Sequence, residues 1–293
     1  MTEYIKKQCA FCSNEDVNLV LDFGEMALAG AFLKKSQFKE EKKYPLKLYF
    51  CDKCFAVQVD DNVPPEILFQ KDYFYFSSKI ETLSNHFKEY ASQVLKYLPD
   101  PNLASVLEFG CNDGVLLIPL AEQGIKTVIG VDPASNVIST ITDSRVTIIN
   151  DFFNQKVAKK VTQQFGKIDL VVANNVFAHI SDICGITKAI ENVLSDNGVF
   201  IFEIHYLDSV LSELQFDMVY HEHKYYYSLI SLQKHFANFN MVIFDCKKIP
   251  IHAGSMRFFV SKKNGCFSAI SDKVKQLEKK ENEEGFDNFQ VFE

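Results

Sequence analysis

Val106-Leu107-Glu108-Phe109-Gly110-Cys111-Asn112-Asp113-Gly114-Val115-Leu116-Leu117 is the stretch on which the fold turns. An apolar run enters Glu108, Gly110 and Gly114 bracket a short polar turn, and a second apolar run from Val115 to Ile118 leaves as a helix. Glycine lets backbone approach a ligand with no Cβ in the way, and the N–H groups opening the next helix point into the turn. Strand, glycine loop and helix in this order are the sequence form of a nucleotide site. A dinucleotide fold needs G-x-G-x-x-G, whose middle glycine lets the backbone close on a pyrophosphate. Asn112 stands at that place, so the fingerprint is absent and a nicotinamide oxidoreductase is disfavoured.

Outward from this stretch, strands and helices alternate. Strands are expected at Val106–Phe109, Thr127–Val131, Val146–Ile149, Asp169–Ala173 and Val199–Glu203. Helices are expected at Val115–Gln123, from Ser135 or Asn136, at 155–165 and at 182–195. The alternation predicts an α/β fold, a doubly wound, Rossmann-like sheet with ligands at the carboxyl ends of its strands. Before it, Ile80, Leu83, Phe87, Tyr90, Ala91, Val94 and Leu95 give a helical stripe over 79–97, ended by Pro99 and Pro101. The hydroxyl-bearing aromatic run Asp72-Tyr73-Phe74-Tyr75-Phe76-Ser77-Ser78 precedes that helix.

The N-terminal region is marked by two C-x-x-C knuckles, Cys9/Cys12 and Cys51/Cys54. Two such pairs can close a tetrahedron of thiolates around zinc, whereas redox motifs come singly on a helix after a strand. The run from Tyr44 to Phe50 and the run from Phe55 to Val59 read as strands on either side of the second knuckle, giving a small zinc-ribbon-like domain in which the metal replaces a core. Cys111, Cys184, Cys246 and Cys266 lack such spacing. The expected division is therefore a zinc-binding domain at 1–65, an aromatic and helical connector at 66–100, the main sheet domain at 101–262 and a charged helical segment at 263–293.

The E-x-G-x-x-x-G spacing resembles motif I of class I S-adenosylmethionine-dependent methyltransferases. That resemblance implies a methyl donor held by Glu108, Gly110, Asn112 and Gly114. Acids at strand ends then take on meaning. Asp132, followed by Pro133, ends the second strand where the two ribose hydroxyls need an acceptor, and Asp151 follows the third strand where an adenine amino group does. Phe152 and Phe153 beside Asp151 can pack on the ring, and Asn174 and Asn175 supply amides after the fourth strand. Each acid alone also serves as a helix cap; three correct placements in one unit point to a cofactor.

Beyond the fifth strand, Tyr220-His221-Glu222-His223-Lys224-Tyr225-Tyr226-Tyr227-Ser228 sets two histidines around a glutamate with tyrosines on both sides. No third-ligand spacing supports a metal cluster here. Proton transfer suits it better: histidine titrates near neutrality, a neighbouring carboxylate can fix its tautomer, and tyrosine hydroxyls can donate to an oxyanion. In chain order, LDFGEMALAGAFL, CDKC, DYFYFSS, VLEFGCNDG, FAHI, YHEHKYYYS and IHAGSMRFFV resemble the zinc-binding nucleotide-sugar C-methyltransferases of deoxysugar biosynthesis. The resemblance implies methylation of a 4-keto-6-deoxyhexose on a nucleoside diphosphate, commonly at C3, through an enolate. It further implies His223 as the base with Glu222 and Tyr220 beside it, and a sugar pocket lined by Tyr73 or Tyr75, His179, and the segment His252, Ser255 and Arg257. Zinc is then structural. Family members usually continue into a second Rossmann-like domain; this chain stops at Glu293, and that domain is expected to be missing.

Composition limits the alternatives. A chain of 293 residues with 47% hydrophobic and 24% charged residues can bury a sizeable core. A net charge of −7 argues against a nucleic-acid partner. No run approaches the roughly 20 apolar residues of a membrane span, and the N-terminus lacks a signal-peptide core, so a cytoplasmic protein is expected. Two other functions fit the same pattern: an O-methyltransferase, which needs base and cofactor but no enolate donors, and a non-catalytic zinc- and cofactor-binding module.

Overall fold

The computed structural model describes residues 8–30, 32–60, 62–69, 73–252 and 254–293. Ala31, Asp72 and Ala253, which belong to motifs quoted above, lie outside them. In chain order the elements are β1 (Asn18–Ala27), β2 (Lys43–Phe50), β3 (Val57–Val59), α1 (Pro65–Phe69), α2 (Glu81–Val94), β4 (Ser105–Phe109), α3 (Leu117–Glu122), β5 (Thr127–Val131), α4 (Ser135–Ile138), β6 (Val146–Ile149), α5 (Gln155–Phe165), β7 (Ile168–Asn174), α6 (Ile183–Val193), β8 (Leu194–His205), α7 (Leu207–Ser212), β9 (Tyr225–Tyr226), α8 (Leu229–Ala237), β10 (Met241–Ile249), β11 (Ser255–Lys262) and α9 (Asp272–Glu283).

Seven strands make the main sheet in the order β10-β11-β8-β7-β4-β5-β6. Strands β4 to β8 run parallel, as the alternation with helices requires, and β4 lies between β7 and β5 in the interior of the sheet. Alternate residues of each strand feed opposite layers. Leu107, Phe109, Ile129, Val131, Val171 and Ala173 pack against Val157, Val161, Ile183, Ile186 and Ile190 of α5 and α6. Val106, Val128, Leu170 and Val172 pack against Leu83, Phe87, Tyr90, Leu117 and Leu120 of α2 and α3. Both faces are covered, so the doubly wound reading holds.

Two strands of the sheet were absent from the expected alternation. β10 and β11 form an antiparallel hairpin, and β11 inserts between β8 and β10, antiparallel to both. The reason they are hard to read is Arg257, a buried arginine in an interior strand, whose charge is met by Glu203 of β8.

Helix limits follow their caps. Asn154 accepts hydrogen bonds from the Lys156 and Val157 N–H groups at 2.9 and 3.1 Å, and Gly166 at φ 83° ends α5. Asn154→Ala should lower stability by about 1 kcal/mol, read by denaturant unfolding.

The zinc-binding region does not close on itself. Its sheet has the order β1-β2-β3-β9, and β9 comes from the segment just after His223. The C-terminal segment is likewise docked. Glu281 of α9 accepts from the Tyr206 hydroxyl at 2.6 Å and caps α8 through the Leu229 and Ile230 N–H groups at 2.7 and 2.9 Å. Phe289 and Phe292 pack on Phe50 of β2, with centroids 6.4 and 5.3 Å away. Among the described residues no helix is long and apolar enough to cross a membrane.

Candidate active site and zinc centre

A cavity of about 480 Å³ opens at the carboxyl ends of β4, β5 and β7. Gly110, at φ 67°, forms its floor; a Cβ there would fall 2.1 Å from a methyl of Val176, so both the turn and the packing demand glycine. Gly114, at φ 76°, closes the same turn. Asp132 stands at the end of β5, its two carboxylate oxygens each accepting one backbone N–H at 2.9 Å, from Asn112 and from Ala134. Burial raises its pKa while these bonds lower it. Pro133, Asp151, Phe152, Asn174 and Asn175 also line the wall. Asp151 accepts the Phe152 N–H at 2.8 Å and is exposed. Phe153 lines the cavity as well, buried and stacked on Phe109 at 4.8 Å.

Behind this wall, Asn174 Nδ2 donates to Glu108 Oε1 at 3.0 Å. Glu108 Oε2 and Asn174 Oδ1 are buried with no partner among the described residues. Burial pushes the Glu108 carboxyl well above the usual carboxylate range. Unsatisfied buried polar atoms on a cavity wall call for a polar ligand. A cradle that excludes a Cβ, an acid at the strand end and these orphaned atoms together fit S-adenosylmethionine. Asp132→Ala should weaken binding of S-adenosylhomocysteine about 10- to 100-fold by calorimetry, the loss of a hydrogen-bonded carboxylate. Unchanged affinity would place the ribose elsewhere.

Asn112 lines the cavity and also holds the aromatic segment. Its side chain is spent on the aromatic segment, accepting from the Ser77 N–H at 3.0 Å and donating to the Tyr75 carbonyl at 2.9 Å.

The expected chemical groups do converge, beside the cavity more than on its wall. Tyr73, Tyr75 and His179 line it. The His179 and His223 rings lie 5.1 Å apart, and the Tyr220 hydroxyl is 2.8 Å from His223 Nε2. His223 Nδ1 faces the Met218 carbonyl at 3.0 Å, which fixes the proton on Nδ1 and leaves Nε2 as acceptor of the Tyr220 O–H. The tautomer is thus set by a backbone carbonyl and not by Glu222, as sequence suggested. Burial holds His223 neutral, its pKa lowered to about 4, and drives His179 well below its ordinary value. Glu222 is pushed up to about 7 by burial. Tyr73 and Tyr220 are raised, first by burial and then by the nearby Glu222 carboxylate, so both keep their protons. Gly30 passes close against Glu222; a Cβ there would sit 2.8 Å from Oε1.

The substrate segment divides. His252 reaches the site, its Nε2 3.4 Å from the Tyr75 hydroxyl. Ser255 is fully buried and donates back to the Ile251 carbonyl. Arg257, 2% exposed, is committed to Glu203 at 2.6 Å and Gln93 at 3.0 Å, and lies 3.5 Å over the Tyr90 ring. A guanidinium satisfied on three sides is not available to a substrate, which corrects its expected place in the sugar pocket. Sequence reading missed His205, whose Nε2 meets Gln215 at 2.8 Å and whose ring is 6.5 Å from that of His223. It also missed Met218, a backbone acceptor with no sequence signal.

Cys9, Cys12, Cys51 and Cys54 bring their sulfurs within 4.8 Å of one another. Sulfur pairs stand at 3.5 Å (Cys9 and Cys54) and 3.7 Å (Cys12 and Cys51). Zinc–thiolate bonds of about 2.3 Å in a tetrahedron place sulfurs about 3.8 Å apart, so the four residues fit zinc. Hydrogen bonds between the sulfurs pull the Cys51 thiol down and push Cys54 up, and Gln58 Nε2 donates to Cys9 at 3.2 Å as an outer partner.

Comparison with known proteins agrees with this geometry. The family described as "Methyltransferase domain" matches residues 83–244, and the one described as "Putative zinc binding domain" matches residues 9–69. The C-methyltransferase NovU of Streptomyces niveus is 30% identical over 87% of this chain, and the chain spans 60% of that protein's length. A ribosomal protein L11 methyltransferase of Helicobacter pylori is 24% identical over 67% of this chain and 62% of its own. A solved S-adenosylmethionine-dependent methyltransferase of Clostridium acetobutylicum superimposes with a TM-score of 0.46 at 17% identity, covering 63% of this chain and 95% of that one.

Proposed function

Since the chain belongs to the methyltransferase-domain family, with a zinc-binding region ahead of that domain, we propose that it methylates carbon next to the ketone of a nucleotide-linked 4-keto-6-deoxysugar, commonly at C3. The observation that carries the reading is the Tyr220–His223–Met218 chain, a neutral imidazole with its acceptor nitrogen aimed at a tyrosine hydroxyl beside the cavity. The chain's similarity to NovU supports carbon as the acceptor.

S-adenosylmethionine, held by Gly110, Asp132 and the Asn174 face, supplies an electrophilic methyl group. This chain's residues prepare the carbon. The C–H bond α to the ketone breaks, its electron pair passes into the enolate, and its proton goes to the Tyr220 oxygen while the Tyr220 proton moves to His223 Nε2. The product is an imidazolium with Tyr220 neutral again. Tyr73 and Tyr75, kept protonated by burial, donate to the enolate oxygen. His179, neutral and on the wall, adds no positive charge beside the donor.

The exchange of the sugar's α-proton in heavy water, with S-adenosylhomocysteine in the donor site, isolates this step. Rapid exchange lost in Tyr220→Phe is expected; no exchange in the unaltered protein would sink the enolate. The pH profile follows from His223. With its pKa at about 4, it is free to accept a proton throughout the neutral range, and the rate should fall only as pH drops toward that value. Glu222→Gln should leave that acidic limb in place.

A further inference from the structure

Residues 73–79 form an aromatic strap across the cavity mouth with little of its own to hold it. Phe74, Tyr75 and Ile80 are exposed, and the strap belongs to neither sheet. Its single helical turn, Ser77–Lys79, begins after Phe76, whose side chain cannot accept the free N–H groups of a helix start. Those groups are taken by the cofactor loop instead. Asn112 Oδ1 accepts the Ser77 N–H at 3.0 Å, and the Asp113 carboxylate accepts the Ser78 N–H at 3.0 and 3.2 Å. Asn112 Nδ2 donates back to the Tyr75 carbonyl at 2.9 Å. At the other end Asn136, just after Asp132, donates to the Tyr73 carbonyl at 2.9 Å. Asn112 is itself held at φ 50° by the bond from its N–H to Asp132.

We propose that Asn112 and Asp113 are positioning residues that couple the cofactor loop to the strap, so that a filled donor site stabilises Tyr73 and Tyr75 and thereby favours binding of the acceptor. The acceptor half rests on the keto-sugar reading above; the coupling itself does not. The strap's bonds end on Asn112 and Asp113 of the loop that a donor would rigidify, and Asn112 is in turn bonded to Asp132, so ordering one orders the other. By linkage the acceptor must then tighten the donor by an equal factor.

Hydrogen exchange of the full chain tests this with S-adenosylhomocysteine as probe. In the unaltered protein the probe should slow exchange of the Ser77 and Ser78 amides about tenfold, the scale of a modest coupling. In Asp113→Ala the Ser78 amide, whose acceptor is removed, should exchange fast with or without the probe, while the probe's affinity changes little and the β4 amides stay protected. Asp113→Asn, which keeps an acceptor oxygen, should restore much of the protection. A strap unaffected by the probe in the unaltered protein overturns the proposal, with no variant needed. With the keto sugar, Asp113→Ala should raise KM more than it lowers kcat. If the exchange result holds and no sugar is methylated, the substrate reading fails and the coupling stands.

Discussion

His223→Ala is expected to lower methyl transfer by about 10²- to 10⁴-fold, the range lost with a positioned general base, while S-adenosylhomocysteine binds with unchanged affinity. The separation follows from where the ring sits. His223 does not line the donor cavity; it stands behind Tyr220 and beside His179, tied at Nδ1 to Met218. The imidazole can be deleted without touching Gly110, Asp132 or Glu108. Asn in place of His223 keeps a donor toward Met218 but offers no basic nitrogen to Tyr220, so it should be nearly as inactive as alanine. Matched losses of cofactor binding and transfer in His223→Ala would mean that the ring shapes the donor site and that the base lies elsewhere.

Removing zinc should have the larger structural effect. Structural zinc contributes about 10 kcal/mol or more to the folding of small domains, and Cys51→Ser or a strong chelator should leave the region around β1 to β3 unable to fold. The consequence reaches the chemistry through β9. Tyr225 and Tyr226 pair with Gln58 and Val57, and His223 lies just before them in the chain. Loss of the zinc sheet therefore frees the segment that carries Tyr220, Glu222 and His223. The main sheet keeps its own core on both faces, so donor binding should survive. The expected result for the zinc-free protein is retained S-adenosylhomocysteine binding, fast hydrogen exchange across 216–226, and no transfer. Full transfer at zero zinc content would show that the metal does not support the site.

What sequence revealed and what it concealed divide along a physical line. The order of β4 to β8 and the place of Asp132 were legible because parallel strands are continuous apolar runs and an acid at a strand end interrupts them. The four cysteines were legible because zinc imposes spacing. Arg257 was misread because its partner Glu203 is remote in the chain, and nothing local distinguishes a buried, paired guanidinium from one offered to a substrate. Asn112 was read for the cofactor because it sits in the glycine loop; its second task, holding the strap, had no local signal because Tyr75 and Ser77 are remote in the chain. The tautomer of His223 was credited to the adjacent Glu222, since a carboxylate is visible in sequence and the Met218 carbonyl is not. Adjacency in sequence put Glu222 next to His223, whereas the turn sends it toward Tyr73, Tyr220 and Gly30.

Carbon-13 NMR of the product made from methyl-labelled S-adenosylmethionine and a dTDP-4-keto-6-deoxyhexose tests the central claim most directly. The predicted result is a new methyl resonance coupled to a ring carbon next to the ketone, absent with His223→Ala. A methoxy resonance, or no transfer by a zinc-loaded protein that binds S-adenosylhomocysteine, would contradict it.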